Sequence, residues 1–374
     1  MNSKIEVIEV IDRKDLKSFI KFPFYLYKND ANWVPPLITD ELKTISRHKN
    51  YAYDFSEANF FLFKKQGEIV GRVGCILTLN SEKEKDFAKF SRFECINDYE
   101  VSSFIFDFIS DWAKQKGKKY IHGPLGFTNY DNQGLMVEGF DTIPPITSVY
   151  HKPYYKDLFE GYGFEKEQDW IESVIKVPEK VPEKIQSIAQ MVRNRYHFKV
   201  LDLKSKKELL SYAYKIFECI NKAYSRLYYS VLLTDQMIQQ FINSYIDILD
   251  PELVKIVVKD NEELVGFLIS MPSLSRAMQK SKGRLFPLGF INILRALRSY
   301  DRIDFLLGAV DPDYQGKGIP SIMMVDMIRT INKKKIRFVE TNSNLETNNR
   351  VLSNWDYFDT KVVRRKRTYR KKIG

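Results

Sequence analysis

The stretch GAVDPDYQGKGIPSIMMVDMI, Gly308 to Ile328, runs an apolar strand into a polar turn with two glycines and a lysine, then directly into an amphipathic helix. Residue types in that order suit the holding of phosphate. Backbone N–H groups of Gln315 through Ile319 can converge on an anion at the helix start, where the peptide dipoles favour negative charge. Gly316 and Gly318 let the backbone curl and approach without a Cβ in the way. Lys317 adds a point charge at the rim. A plain polar strand-to-helix turn is the other reading of the same residues. The four histidines (His48, His122, His151, His197) have no ligand spacing, nor do the three cysteines (Cys75, Cys95, Cys219). No metal is therefore expected, and no serine or cysteine nucleophile motif stands out.

A chain of 374 residues with 44% hydrophobic and 14% aromatic content has room for two or three domains with their own cores. An odd, sparse cysteine set fits a reducing compartment. The N-terminus MNSKIEVIEVIDRKD lacks the pattern of a signal peptide. No apolar run reaches the roughly 18 residues of a membrane span, so a cytoplasmic protein is expected. Part of the net charge of +11 lies in the last strand and tail, Lys361 to Gly374. Nucleic acid, a membrane surface or an anionic cofactor could use such charge. An edge strand kept soluble by lysine and arginine accounts for it equally simply.

The chain carries a repeat. Glu68-Ile69-Val70-Gly71 matches Glu263-Leu264-Val265-Gly266, a separation of 263 − 68 = 195 residues. Each motif opens the second strand of an apolar hairpin, which points to a duplicated domain. The first half reads as a strand, helices around Lys14–Tyr27 and Asp40–His48, and the hairpin. The strand RFECI, a helix at Glu100–Gln115, the strand KYIHG, a short helix near Tyr155–Tyr162 and final strands follow. The second half reads as a strand at Phe198–Leu203, helices at Lys206–Tyr224 and Thr234–Leu249, its hairpin, and a helical insert from Leu274 to Tyr300. After these come the strand IDFLLGAV, the loop, the helix Ile319–Asn332, the strand IRFVETN and a helix to about Trp355. The prolines of VPEKVPEK, Val177 to Lys184, mark the boundary. Two domains, 1–178 and 179–374, are expected.

This order of elements, with Gln315, Gly316 and Gly318 in the loop, resembles the GNAT acetyltransferase superfamily. The resemblance is carried by the second half and extends more weakly, through the hairpin and YYKDLFEGYGF, to the first. It implies an α/β architecture of two tandem domains, each a central, mostly antiparallel mixed sheet flanked by helices. It also implies acetyl-CoA or another acyl-CoA as co-substrate, and no metal. The residues it assigns to the coenzyme are Ala309, Val310, Gln315, Gly316, Lys317, Gly318, Ile319, Ser321 and Asn348. Pro320 stands where the family has Gly or Ala, which removes one phosphate donor, and the Ser321 hydroxyl is placed to replace it.

Acyl transfer to an amine needs donors for an oxyanion, a base, and a proton for the departing thiolate. The resemblance places the oxyanion donor at a backbone N–H near Val310. Asp304 and Glu340 are the carboxylates placed to act as base, with structural hydrogen bonding as the other reading of each. The family's proton donor is a tyrosine seven residues after its asparagine, but Trp355 stands there, and Phe159 holds the equivalent place in the first half. Tyr357 lies two residues on, about 200° round a helix, and is the remaining phenol.

The first half lacks the glycine-rich loop, so no pyrophosphate is expected there. It carries instead the long connection Gly123 to Pro145, expected either to help shape an acceptor site or to pack as structure. An N-acyltransferase acting on a small-molecule or peptide amine leads the functional readings. A CoA-binding pseudoenzyme and a transferase moving amino acids from tRNA are the alternatives, with nucleic acid the less favoured partner.

Overall fold

The computed structural model describes residues 4–225 and 227–374. The first half contains β1 (Ile5–Glu9), α1 (Arg13–Leu26), α2 (Ile38–Ile45), β2 (Ser56–Lys65), β3 (Glu68–Thr78) and β4 (Phe87–Cys95). It continues with α3 (Tyr99–Gln115), β5 (Tyr120–Gly123), β6 (Leu135–Glu138), α4 (Tyr154–Gly161) and β7 (Glu165–Lys176). The second half opens with α5 (Glu183–Tyr196), β8 (Lys199–Val200), α6 (Lys206–Tyr224), α7 (Asp235–Tyr245), β9 (Val254–Val258) and β10 (Leu264–Pro272). After α8 (Ser275–Ser281) and α9 (Gly289–Arg298) come β11 (Arg302–Val310), α10 (Ile319–Lys333), β12 (Phe338–Glu340), β13 (Asn344–Leu345), α11 (Asn349–Leu352) and β14 (Thr360–Lys372).

The compact units are not the two halves of the chain. The first comprises Met1–Ile171, Ser275–Phe290 and Arg364–Gly374, and the second Glu172–Leu274 and Ile291–Val363. Chain contacts therefore do not follow a single cut near residue 178. The strand order explains why. Within the first unit the sheet runs β1-β2-β3-β4-β5-β14 and takes in β7 up to Ile171, and within the second it runs β8-β9-β10-β11-β12 and ends on the rest of β7, from Glu172. In each, the fourth and fifth strands are parallel and the other pairings in the order antiparallel. Topologically the repeat is complete, but the halves exchange their last strands.

Local sequence accounts for most elements. Gln66 and Gly67, both at positive φ, form the two-residue turn that joins β2 to β3 with the twist a hairpin needs. In α3 the buried Val101, Ile105, Ile109 and Trp112 recur at helical spacing against the first sheet. Asp12, Asp98, Ser205 and Thr234 cap their helices through side-chain oxygens.

Four expectations change. First, α5 is an additional helix. Its buried Ile185, Ala189 and Val192 have the i, i+4, i+7 spacing that marks it, directly after the proline-rich boundary. Second, the helical insert divides, and α8 packs into the first unit. There Ser275 donates to the Pro144 carbonyl at 2.7 Å and Gln279 to that of Ala31 at 2.8 Å. Third, the helix expected to reach Trp355 is only α11, followed by a tight turn at Trp355–Tyr357. Fourth, β14 is no edge strand. It runs between β5 and β7, and its arginines meet carboxylates in the first unit. Arg365 and Arg367 reach Asp169 at 3.3 and 2.8 Å, Arg367 also reaches Glu160, and Arg370 reaches Glu167. The long connection after β5 packs as structure, with Phe127 and Met136 fully buried and β6 hydrogen-bonded to β14.

Burial pushes the Asp169 carboxyl up, but hydrogen bonds from Arg367 and Lys166 outweigh it and hold the group below the usual carboxylate range. A depressed folded pKa stabilises the fold above the unfolded value of about 3.9, and that stability is lost as pH falls through the folded value. Asp169→Asn is expected to lower the unfolding free energy by about 3–5 kcal/mol at neutral pH. In urea titrations the deficit should shrink below about pH 4. An unchanged midpoint at pH 7 would count against a structural role for this cluster.

Candidate functional site

The expected phosphate loop forms in the second unit as a strand, a tight turn and a helix start. The carboxylate of Asp311 accepts the N–H of Asp313 at 3.0 Å and shapes the turn Pro312–Tyr314. Lys317 folds over the Tyr314 ring at 4.4 Å and donates to the Asp313 carbonyl at 2.9 Å. Gly316 and Gly318 sit at φ +79° and +76°. The helix α10 begins with Gly318 as its N-cap, so no side chain caps it, and its first turn carries no acid. Among the described residues, the amides of Gly316, Lys317, Gly318 and Ile319 donate to no other group. Four N–H groups without a partner thus gather at the positive end of a 15-residue helix.

The two glycines do different work. Around a Cβ at Gly316 lies open space, which is where an anion would stand. A Cβ at Gly318 would come within 2.6 Å of Val192 on α5. The unforeseen helix therefore presses the loop from behind, with Ile185, Ala189 and Val192 packed on Ile319, Ile322 and Met323 of α10.

Upstream of the loop, β11 pairs with β12 only from Arg302 to Asp304. Beyond that the two strands part. The Asp311 amide donates to Val265 on β10 at 3.0 Å, so by antiparallel alternation residues 309 and 307 also bond β10. The N–H and C=O groups of Gly308 and Val310 consequently face the open side. The side-chain bonds there agree with this: Asn342 donates to Leu306, Tyr224 to Gly308 and Gln315 to Val310, at 2.8, 3.0 and 3.2 Å. Tyr224, from the end of α6, was not foreseen as part of this site, and burial pushes its phenol up to about 12. Its sequence signal is slight, a tyrosine ending an amphipathic helix.

The sheet has two chemically different faces at the point of divergence. Ile303, Phe305 and Val339 pack towards α10 with Met327 and Ile331. Strand alternation then puts Asp304 and Glu340, register partners on β11 and β12, on the opposite face. Both are buried, and Arg302 reaches Glu340 at 2.9 Å. The fully buried Glu172 on β7 shares that face, since Val174 is the partner of Glu340; it accepts from Ser343 at 2.8 Å. The structure thus brings the expected carboxylates together and adds a third. Among the described residues no cluster of three or more such groups is arranged to hold a metal ion.

No family model matches the chain. Protein YghO of Escherichia coli is 26% identical over 377 residues, covering 97% of this chain and 94% of that protein. The bacterial ceramide synthase of Caulobacter vibrioides is 26% identical over 302 residues, covering 79% of this chain and 77% of its own. Among solved structures, a tandem GNAT protein from the clavulanic acid biosynthesis pathway matches at a TM-score of 0.57 with 9% identity. The match covers 99% of both chains. The chain has the tandem GNAT fold.

Within the GNAT fold the remaining expected residues separate. Asn348 caps α11, its side-chain oxygen accepting the Val351 amide at 3.4 Å. Arg350, two residues on, donates to Gln315 of the loop at 3.0 Å. Tyr357 is exposed, with Lys184 over its ring at 5.1 Å. Trp355 leans on Phe305 with ring centroids 5.9 Å apart. Ala309 is buried in the strand, and Ser321 lies in the first turn, its amide on the Gly318 carbonyl at 3.1 Å.

The corresponding place in the first unit is closed twice. The Asp98 carboxylate accepts the amides of Glu100 and Val101, so α3 already holds an anion at its start. The hydroxyls of Tyr154 and Tyr155 occupy the backbone of Cys95 at 2.7 and 3.0 Å. Phe159 lies in the core.

Substitution should separate the two glycines of the loop. Gly316→Ala is expected to cost about 1 kcal/mol, the price of positive φ alone. Gly318→Ala should cost about 2–4 kcal/mol, since overpacking adds to the strain. Urea unfolding of both variants, with Val192→Ala added to each, checks this: the second change should relieve Gly318→Ala and only add to the cost of Gly316→Ala.

Proposed function

We propose that this chain is an acyl-CoA-dependent N-acyltransferase whose second unit holds the coenzyme and whose first unit does not. The observation that carries the reading is the uncapped start of α10, with four free amides, set at the end of a strand whose open edge offers further N–H groups. The loop amides and Lys317 would bind the pyrophosphate, and the N–H groups of Gly308 and Val310 would receive the amide-rich arm and the developing oxyanion. Asp304 or Glu340, on the opposite sheet face from α10, would take the amine proton. Trp355 supplies no acid. A thiolate with a pKa near 8.5 leaves tolerably without one, and Tyr224 is a phenol at the strand edge, donating to Gly308. The acceptor is an amine on a small molecule or peptide; the name of the relative called a ceramide synthase, which denotes amide formation, supports this class. A CoA-binding protein without turnover is the second reading, supported by Trp355 at the acid position.

Calorimetry with acetyl-CoA on the wild type and on Gly316→Asp tests the binding step. The variant places a carboxylate in the open space at the loop mouth and should weaken binding at least tenfold. Equal binding, or none by either, overturns the assignment. Thiol release on a panel of polyamines, aminosugars and peptides then decides between the two readings. With turnover, Asp304→Asn or Glu340→Gln should lower kcat by about 10²–10⁴ if that carboxylate is the base.

A further inference from the structure

The helical insert between β10 and β11 has a charge pattern unlike the rest of the chain. Residues 264–300 include no aspartate or glutamate, although the whole chain holds 48. In that run stand Arg276, Lys280, Lys282, Arg284, Arg295 and Arg298, all exposed. Among the described residues none of the six pairs with a carboxylate. Large apolar side chains stand in the open between these cations. Phe286 is 76% and Leu288 67% exposed, and the exposed Phe290 lies beside Phe286 with ring centroids 5.7 Å apart. The helix α9 continues the pattern, with Phe290, Leu294 and Leu297 at i, i+4 and i+7 and Arg295 and Arg298 beside them.

The loop that presents Phe286 and Leu288 belongs to the first unit and is held there by its base. Gln279 of α8 donates to the carbonyls of Ala31 and Trp33 at 2.8 and 3.1 Å, and the Ile38 amide at the start of α2 donates to Gly283 at 3.0 Å. A Cβ on Gly283, at φ +70°, would come within 2.6 Å of Phe24 and 2.7 Å of the Pro36 carbonyl, so the chain lies close against the unit at that point. Ser281 then donates to the Gly289 carbonyl at 3.1 Å, and the Phe290 amide to that of Leu285 at 2.7 Å, which closes the loop. Phe286 and Leu288 stand at its tip. The acids of the neighbouring segments already carry their own countercharge: Asp30 meets Lys152, Asp40 meets Lys43 and Glu41 meets Arg92.

Exposed aromatic and aliphatic side chains set among unpaired cations match a surface that is anionic outside and hydrocarbon within. We propose that the 280–290 loop docks the protein on an anionic lipid bilayer, its lysines and arginine on the headgroup phosphates and Phe286 and Leu288 inserted at the headgroup boundary. Two other occupants fit less well. A nucleic acid would engage the cations and stack on phenylalanine, but it offers nothing to an exposed leucine. A second copy meeting the same loop would bring like charges together across the contact. The proposal is independent of the coenzyme assignment. It also needs no membrane span, and among the described residues no helix is long and apolar enough to form one.

Sedimentation of the full chain with vesicles of phosphatidylglycerol and phosphatidylcholine in equal parts, and with vesicles of phosphatidylcholine alone, tests this. Binding should be about tenfold tighter or more to the anionic vesicles and should weaken with added salt. Lys282→Glu combined with Arg284→Glu should weaken it by about tenfold or more, since each cation near such a surface contributes roughly fivefold. Phe286→Ser combined with Leu288→Ser should weaken it by about tenfold as well. All four side chains are exposed, so the urea midpoints of both variants should match the wild type. As a readout of insertion, vesicles brominated in their acyl chains should quench the fluorescence of Phe286→Trp more than that of the wild type. No preference for the anionic vesicles, equal binding by the serine variant, or equal quenching overturns the proposal. If the chain leaves the vesicles and binds tRNA through the same cations, the loop is a nucleic-acid surface. If it forms a dimer that the serine variant dissolves, the loop is an interface between copies. Either result overturns the proposal too. Should a double variant fail to fold, the lipid dependence of the wild type and the quenching of Phe286→Trp decide alone.

Discussion

One unsatisfied set of backbone donors organises the second unit. A helix leaves its first N–H groups without partners, and α1, α3, α6 and α7 meet that need with an aspartate, serine or threonine at the N-cap. The helix α10 meets it with glycine, which has nothing to offer. Buried without a partner such amides would be destabilising, so they must lie open to water or to an anion. The surrounding packing preserves this arrangement. The helix α5 supports Gly318 through Val192, Arg350 holds Gln315 aside, and Lys317 rests on Tyr314 at the rim.

The first unit shows the same topology with the opposite outcome. Its parallel fourth and fifth strands also part after three pairs, but Tyr154 and Tyr155 close onto Cys95, and Asp98 caps α3. Both changes satisfy those backbone groups with the protein's own side chains. The burial released for packing goes into an aromatic core in which Phe93, Phe106, Phe159 and Phe164 pack with ring centroids 4.8–5.2 Å apart where neighbours meet. Duplication thus yielded one lobe built around an opening and one built around its filling.

At the divergence of β11 and β12 the two faces of a single sheet differ in kind. Strand geometry makes this possible, because neighbouring residues project to opposite sides, so Asp304 and Phe305 cannot share an environment. A buried carboxylate and an apolar side chain stand one residue apart along the chain, on opposite faces of the sheet. That segregation lets one strand serve a polar and an apolar requirement without burying an uncompensated charge beside hydrocarbon.

Local order was legible in the sequence. The loop, the 195-residue repeat, the hairpins and most helices follow from glycine placement, capping residues and periodicity, each a property of a few neighbouring residues. The helix α5 was legible in the same terms but hidden by the prolines before it. What only the tertiary structure decided involves partners far apart in the chain. The exchange of β7 and β14, the seating of α8 in the first unit, the ion pairs that absorb the basic tail, and the sharing of one sheet face by Glu172, Asp304 and Glu340 are all of this kind. Periodicity tells which face of a strand is buried. It does not tell which strand lies alongside, because pairing is set by backbone hydrogen bonds that every sequence can make and by the complementarity of surfaces assembled from distant segments.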